Sequence, residues 1–178
     1  QIISQIKNKE PNLELKINEV SARLNLFTFS IDAKTVGTDL VFKNKTIKIE
    51  NIKSKISLKS LIKDQFAFST IFISTKSIPV KDLINFIRLL NNDPKLYVAE
   101  QFIGKGYIIA DIKLDFDKFG KVRNNFRIKG FVNDGQISFL KKKLSKLNFI
   151  FQITDNEYKL NDIKLLLNNK SINIPELI

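Results

Sequence analysis

The sequence contains no cysteine, histidine, tryptophan or methionine. Without cysteine there is no disulfide framework and no thiolate chemistry, and the redox compartment stays open. Without histidine and cysteine, zinc and most transition metals lose their usual ligands, so no metal site is expected. Hydrolase arrangements of the Ser-His-Asp or Cys-His type are excluded within the chain. No apolar run approaches the ~20 residues that a membrane-spanning helix needs. The opening residues, QIISQIKNKEPN, are too polar for a secretory signal. No linker rich in proline, glycine or serine divides the chain. It begins with Gln and has no Met, so we read residues 1–178 as a single internal segment of a larger repeat protein.

What is present is apolar and basic. Hydrophobic residues make up 43%, including 15 Phe, enough for a sizeable core and against disorder. The net charge is +12, almost all from lysine. One reading is an anionic partner, nucleic acid or an anionic lipid surface. The other is codon composition, because Lys, Asn, Ile and Phe dominate together. The lysines are scattered along the solvent faces of strands, which favours composition. The densest run, KKKLSK at Lys141–Lys146, reads as a solvated turn.

Period-2 alternation predicts a mainly β fold. NLELKINEV alternates at Leu13, Leu15 and Ile17. LNLFTFSIDAK places Phe27, Phe29, Ile31 and Ala33 on one parity of a strand. TDLVF and TIKIENI read as a hairpin about Asn44-Lys45. FAFSTIFIST, from Phe66 to Thr75, is apolar on both parities and so is expected to be covered on both faces. SIPVKDLINFIRLLNND breaks the pattern: Val80, Leu83, Ile84, Ile87 and Leu90 recur at a helical period. Ser77 and Pro79 suit its start, and Asn91-Asn92 its end. A shorter helix is expected in PKLYVAEQFIG, ending at Gly104, so the helical insertion covers about 78–104. Strands then return. GYIIADIKLDFD has Ile112, Leu114 and Phe116 opposite Asp111, Lys113 and Asp115. KFGK turns the chain, and VRNNFRIKGFV carries Phe126, Ile128 and Gly130 on one parity. GQISFL, LNFIFQI (with Phe149, Phe151 and Ile153), YKLNDIKLLL and KSINIPELI follow as further strands.

Three segments share a pattern: LKINEVSARLNL (Leu15–Leu26), IKIENIKSKISL (Ile47–Leu58) and YKLNDIKLLLNN (Tyr158–Asn169). In each, the apolar set changes parity at two adjacent polar residues: Asn18-Glu19, Glu50-Asn51 and Asn161-Asp162. A one-residue slip turns every later side chain to the other face. Adjacent Asn, Asp or Glu suit a β-bulge or corner, which lets the apolar set stay inside a bending sheet. The expected architecture is an elongated, curved antiparallel β-sheet of similar units, a groove-like meander with one or two short helices near its middle.

The run NLFTFSIDAKTVGTDLVFKNKTIKIENIKSKISLKSLI, then ISTKSIPVKDLINFIRLLN, then FIGKGYIIADIKLDFDKFGKVRNNFRIKGFVNDGQIS, resembles the AsmA-like proteins, the group that includes AsmA, TamB and YhdP. It is most similar to members from α-proteobacteria of low GC content. The resemblance runs from about Leu13 to the end and lies in strand-rich repeat texture rather than a catalytic signature. It implies a protein anchored in the inner membrane and extending through the periplasm. It also implies a taco-shaped sheet with an apolar groove, and a part in moving phospholipid towards the outer membrane. On that footing the partners are phospholipid acyl chains, with membranes at the ends of the intact protein, and no cofactor. Ile112, Leu114, Phe116, Phe126, Ile128, Phe149 and Phe151 become candidate groove-lining residues, with ordinary core packing as the alternative. Lys113 and Lys129 are candidates for a rim that favours anionic heads.

Other readings compete. Charge favours a nucleic-acid-binding protein, but there is no reader motif and arginine is scarce, so no nucleic acid is expected. A structural or adhesive β-module would have a closed, dry core. An enzyme is least favoured: Asp111, Asp115 and Asp117 cluster, but Asp111 and Asp115 lie on the polar face of a strand, where solvated carboxylates are common.

Overall fold

The computed structural model describes residues 13–42, 45–90, 94–139 and 142–178. Ten strands are arranged in chain order: β1 (Leu13–Asn25), β2 (Ser30–Phe42), β3 (Lys45–Ser57), β4 (Phe68–Thr75), β5 (Ile78–Pro79), β6 (Ile103–Asp115), β7 (Arg127–Phe139), β8 (Lys142–Thr154), β9 (Tyr158–Leu167) and β10 (Lys170–Leu177). They form one open, curved antiparallel sheet in the order β1-β2-β3-β4-β6-β7-β8-β9-β10, with the short β5 beside β6. Apart from β5, consecutive strands pair with one another, as expected where short connections favour neighbours.

Among the described residues three helices interrupt the meander: α1 (Leu58–Ile62), α2 (Val80–Leu90) and α3 (Pro94–Phe102). The last two fall where the helical period and the Pro and Asn punctuation place them. The side chains of Ile87 and Leu90, and all of Asn91-Asn92, lie outside the described residues. Val80, Leu83 and Ile84 turn α2 onto one face of the sheet, with Ile84 buried. Arg88 binds Glu100 of α3 and stacks 5.0 Å from the Tyr97 ring, which ties the two helices together. The five-residue α1 was not legible as a period. It is a single turn capped by Ser57, whose hydroxyl accepts from Ser60 N at 3.2 Å.

Two buried clusters lie on the face that carries α2. Phe42, Ile47, Ile49 and Ile78 form the first, with Ile52, Ile73, Leu83 and Ile108 packed against them. Ala110, Val132 and Phe151 form the second, with Val80, Ile128, Phe149 and Ile153 around them.

The phase slips are real features of the backbone. In β3, Ile49 pairs with Thr75 but Asn51 with Ser74, so Glu50 is an extra residue against β4. In β9 the register passes from Lys164↔Asn148 to Asn161↔Ile150, which leaves Asp162 as part of a bulge with φ 52°. β1 keeps its register with β2 through Asn18-Glu19; the irregular residue is Gly37 of β2 opposite Asn18, at φ 63°. Asn18, Gly37 and Glu50 thus share one row across three strands. The Thr35 and Thr38 hydroxyls lie 2.8 Å apart. In an unbroken strand residues three apart point to opposite faces, so this bond marks an exchange of faces between them. The same device recurs in β7 and β8 at Asp134 (φ 49°) and Lys146 (φ 51°). There Asn148 accepts from Asp134 N at 2.9 Å and donates to Lys146 O at 2.8 Å. Ile49 and Ile52, on opposite sides of a slip, meet the same apolar cluster. Bulges bend strands and increase twist, so the apolar set stays on one side as the sheet curves.

Four sequence readings need correction. LNLFTFSIDAK is not one strand: β1 ends at Asn25, residues 26–29 form a turn with Phe29 at φ 48°, and β2 starts at Ser30. Asn25 Oδ1 accepts from Thr28 N at 3.2 Å, a side-chain turn that outweighs the β propensity of two phenylalanines. β4 is not covered on both faces, because Phe72 is 44% exposed on the face opposite the helices. Lysine stems such as that of Lys113, 5.9 Å from its ring, lie beside it on this face. GQISF is the far half of β7 beyond the Asp134 bulge rather than a separate strand. Lys142–Lys146 open β8 instead of forming a turn; Asn44, proposed for the β2–β3 turn, and Lys141 lie outside the described residues.

Candidate functional site

The apolar face carries a continuous track that runs across the strands. Ile52 pairs with Ile73, Ile73 with Ile112, Ile112 with Ile128, and Ile128 with Ile153. Five isoleucines on β3, β4, β6, β7 and β8 therefore stand in one row. At about 4.8 Å per strand the row is roughly 19 Å long. Each is half-buried, and none is sealed. Ile71 and Leu114 form a parallel pair beside it.

The seven candidate residues divide into three groups. Ile112 and Ile128 belong to this track and Leu114 to the pair beside it, all half-buried at mid-face. Phe116 sits past the end of β6, its ring 5.4 Å from that of Phe66, which stacks in turn on Phe68 at 5.7 Å. Phe126, half-buried, lies just ahead of β7. Phe149 and Phe151 pack together at 6.3 Å in the second buried cluster, and Phe151 is 6% exposed. Phe151 reaches that position because Gly130 has no side chain: a Cβ there would stand 2.6 Å from the Phe151 ring. The total accessible surface is 12163 Å², against roughly 8,900 Å² for a compact monomer of this mass. A single layer with a partly bare apolar face accounts for an excess of this kind.

The polar face has its own concavity, which was not read from the sequence. A cleft of about 480 Å³ is lined by Asp32, Lys34, Lys53, Lys55, Phe72 and Lys113, among others. Lys34 stands opposite Lys53, Lys53 opposite Phe72, and Phe72 opposite Lys113. The signal was present as Lys alternation in each strand, but only register brings the strands into line. Lys113 and Lys129 both lie on this face, not beside the apolar track. Lys113 is 3.1 Å from Asp115 and 5.9 Å from the Phe72 ring, and Lys129 pairs with Asp111 in register.

Two of the three clustered aspartates, Asp115 and Asp117, have structural partners. Burial acts to raise the pKa of Asp115, but hydrogen bonds from Thr70 (2.6 Å) and Lys113, the Lys113 charge and Asn125 together hold it below the usual carboxylate range. Asp117 organises the turn by accepting from Lys121 N at 3.0 Å and Phe119 N at 2.8 Å; these bonds lower its pKa, with Lys121 the larger cause. Asp111 is exposed. Among the described residues no group of three or more carboxylates is placed to hold a metal, and no helix is long and apolar enough to cross a membrane. Comparison with protein-family models, with curated proteins and with solved structures finds no match.

Proposed function

We propose that the chain is a non-enzymatic, lipid-carrying segment of an AsmA-like envelope protein in the periplasm. In this reading it forms part of a sheet along which phospholipid acyl chains pass between the inner and outer membranes. The observation that supports this most is the row of five half-buried isoleucines running across the strands. A track in that direction continues from one strand to the next and would join similar units end to end. Each CH₂ kept from water on it gains about 0.8 kcal/mol. No polar side chain interrupts the row, so an acyl chain can slide without breaking hydrogen bonds.

A second reading, a structural module with a closed core, draws on the clusters under α2, where Phe151 and Ile49 are buried. One experiment separates the two. A photo-crosslinking residue is placed at Ile112 or Ile128 in the protein expressed in cells, with Lys113 and Lys129 as controls on the opposite face. Phospholipid adducts at the isoleucine positions and none at the lysines are expected. Intramolecular protein adducts alone would leave the structural module as the better account.

A further inference from the structure

The β1–β2 turn, the α1 segment and the β6–β7 connection meet at one end of the sheet. Leu58 N donates to Phe29 O at 3.1 Å, and Phe66 N donates to Lys118 O at 3.2 Å. The three tips therefore form one continuous rim. Each carries large apolar side chains facing solvent: Phe27 is 104% exposed, Ile62 76% and Phe119 74%. Leu26, Leu61 and Val122 add to them. Scattered exposed apolar residues are ordinary, but a set gathered on one rim marks a contact surface.

Charge identifies the partner. Lys59, Lys63, Lys118, Lys121 and Arg123 are interleaved with these residues and exposed. None has an ion pair among the described residues. Asp117, in the β6–β7 tip, accepts from backbone N–H groups and feels the charges of Lys121 and Arg123 without a close ion pair, and Lys118 lies 5.0 Å from the Phe119 ring. The polar-face cleft begins beside the same rim: Lys55 and Lys34 stand two and four residues from their strand ends, about 7 and 13 Å along the strand. Apolar tips that can enter an acyl layer, with cations set back at headgroup depth, match an anionic bilayer surface. The β8–β9 turn, with Asp155 and Glu157 beside Tyr158, bounds the basic stretch on one side.

We infer that this rim docks edge-on to an anionic lipid bilayer, with Phe27, Ile62 and Phe119 entering the acyl boundary and the surrounding lysines taking headgroup phosphates. This contact is independent of the isoleucine track and would hold if that track carried nothing.

The absence of tryptophan provides the test. Single-tryptophan reporters Phe27→Trp, Phe119→Trp and, as control, Tyr158→Trp are titrated with vesicles of phosphatidylcholine alone or with about one-third phosphatidylglycerol. A blue shift of emission is expected at the first two positions on anionic vesicles only, with none at the control. The triple variant Phe27→Ser, Ile62→Ser, Phe119→Ser should lose about tenfold or more in vesicle affinity while its far-ultraviolet circular dichroism stays unchanged. No shift on any vesicle, or an equal shift at Tyr158→Trp, would overturn the inference. A shift that grows with protein concentration without vesicles would also overturn it, because a second copy would then cover the rim.

Discussion

The exchange of faces in β2 can be measured as a coupling between two hydroxyls. Thr38 has no accessible surface and its hydroxyl lies 2.8 Å from that of Thr35, which is half-buried. Thr35→Val leaves the Thr38 hydroxyl buried and unpaired, at a cost of about 1–3 kcal/mol. Thr38→Val leaves the Thr35 hydroxyl within reach of water and should cost less, about 0.5–1.5 kcal/mol. The double variant removes both partners and adds two good strand formers, so it should lie close to wild type. The resulting coupling, about 1.5–4.5 kcal/mol, is read from urea denaturation of the four proteins at a common m-value. A coupling within about 0.3 kcal/mol of zero would refute the reasoning. The two side chains would then lie on opposite faces, as in an unbroken strand, and the slip at Gly37 would not exist.

Gly130→Ala should destabilise by about 3 kcal/mol, since overpacked sites have little room to relax. The new Cβ would stand 2.2 Å from Ile109 O and 2.6 Å from the Phe151 ring. Gly104→Ala, 3.3 Å from the amide at the far end of the Gln136 side chain, should change stability by no more than about 0.5 kcal/mol in the same urea titration. Asp115 and Asp117 have lowered native pKa values, so their contribution is present above the unfolded value of about 4 and lost as pH falls through the native one. Hydrogen exchange at Phe119 and Lys121 should accelerate, relative to the intrinsic rate, as pH falls below about 4, and Asp117→Asn should remove most of that dependence. Lys53→Glu would turn the Lys34–Lys53 cross-strand repulsion into attraction and stabilise the sheet by about 0.5 kcal/mol at low ionic strength. The gain should disappear in about 1 M salt, where screening acts over ~3 Å.

Residue order alone determined the mainly β character, the two helices at Val80–Leu90 and Pro94–Phe102, and the slips at Glu50-Asn51 and Asn161-Asp162, but not those at Gly37, Asp134 and Lys146. These are local properties: alternation and the helical period act between near neighbours, and paired polar residues favour bulges wherever a strand carries them. Phe27 and Phe29 were misread because a short side-chain turn at Asn25 competes with β propensity over only four residues. The aromatic candidates were legible as apolar but not as open or closed. Phe149 and Phe151 become a packed cluster through Gly130 and Val80, which are distant in sequence. The isoleucine track, the lysine cleft and the apolar rim were decided by tertiary structure alone. Each is assembled from one or two residues per strand or turn, and only the register of non-local pairing fixes which of those residues stand side by side.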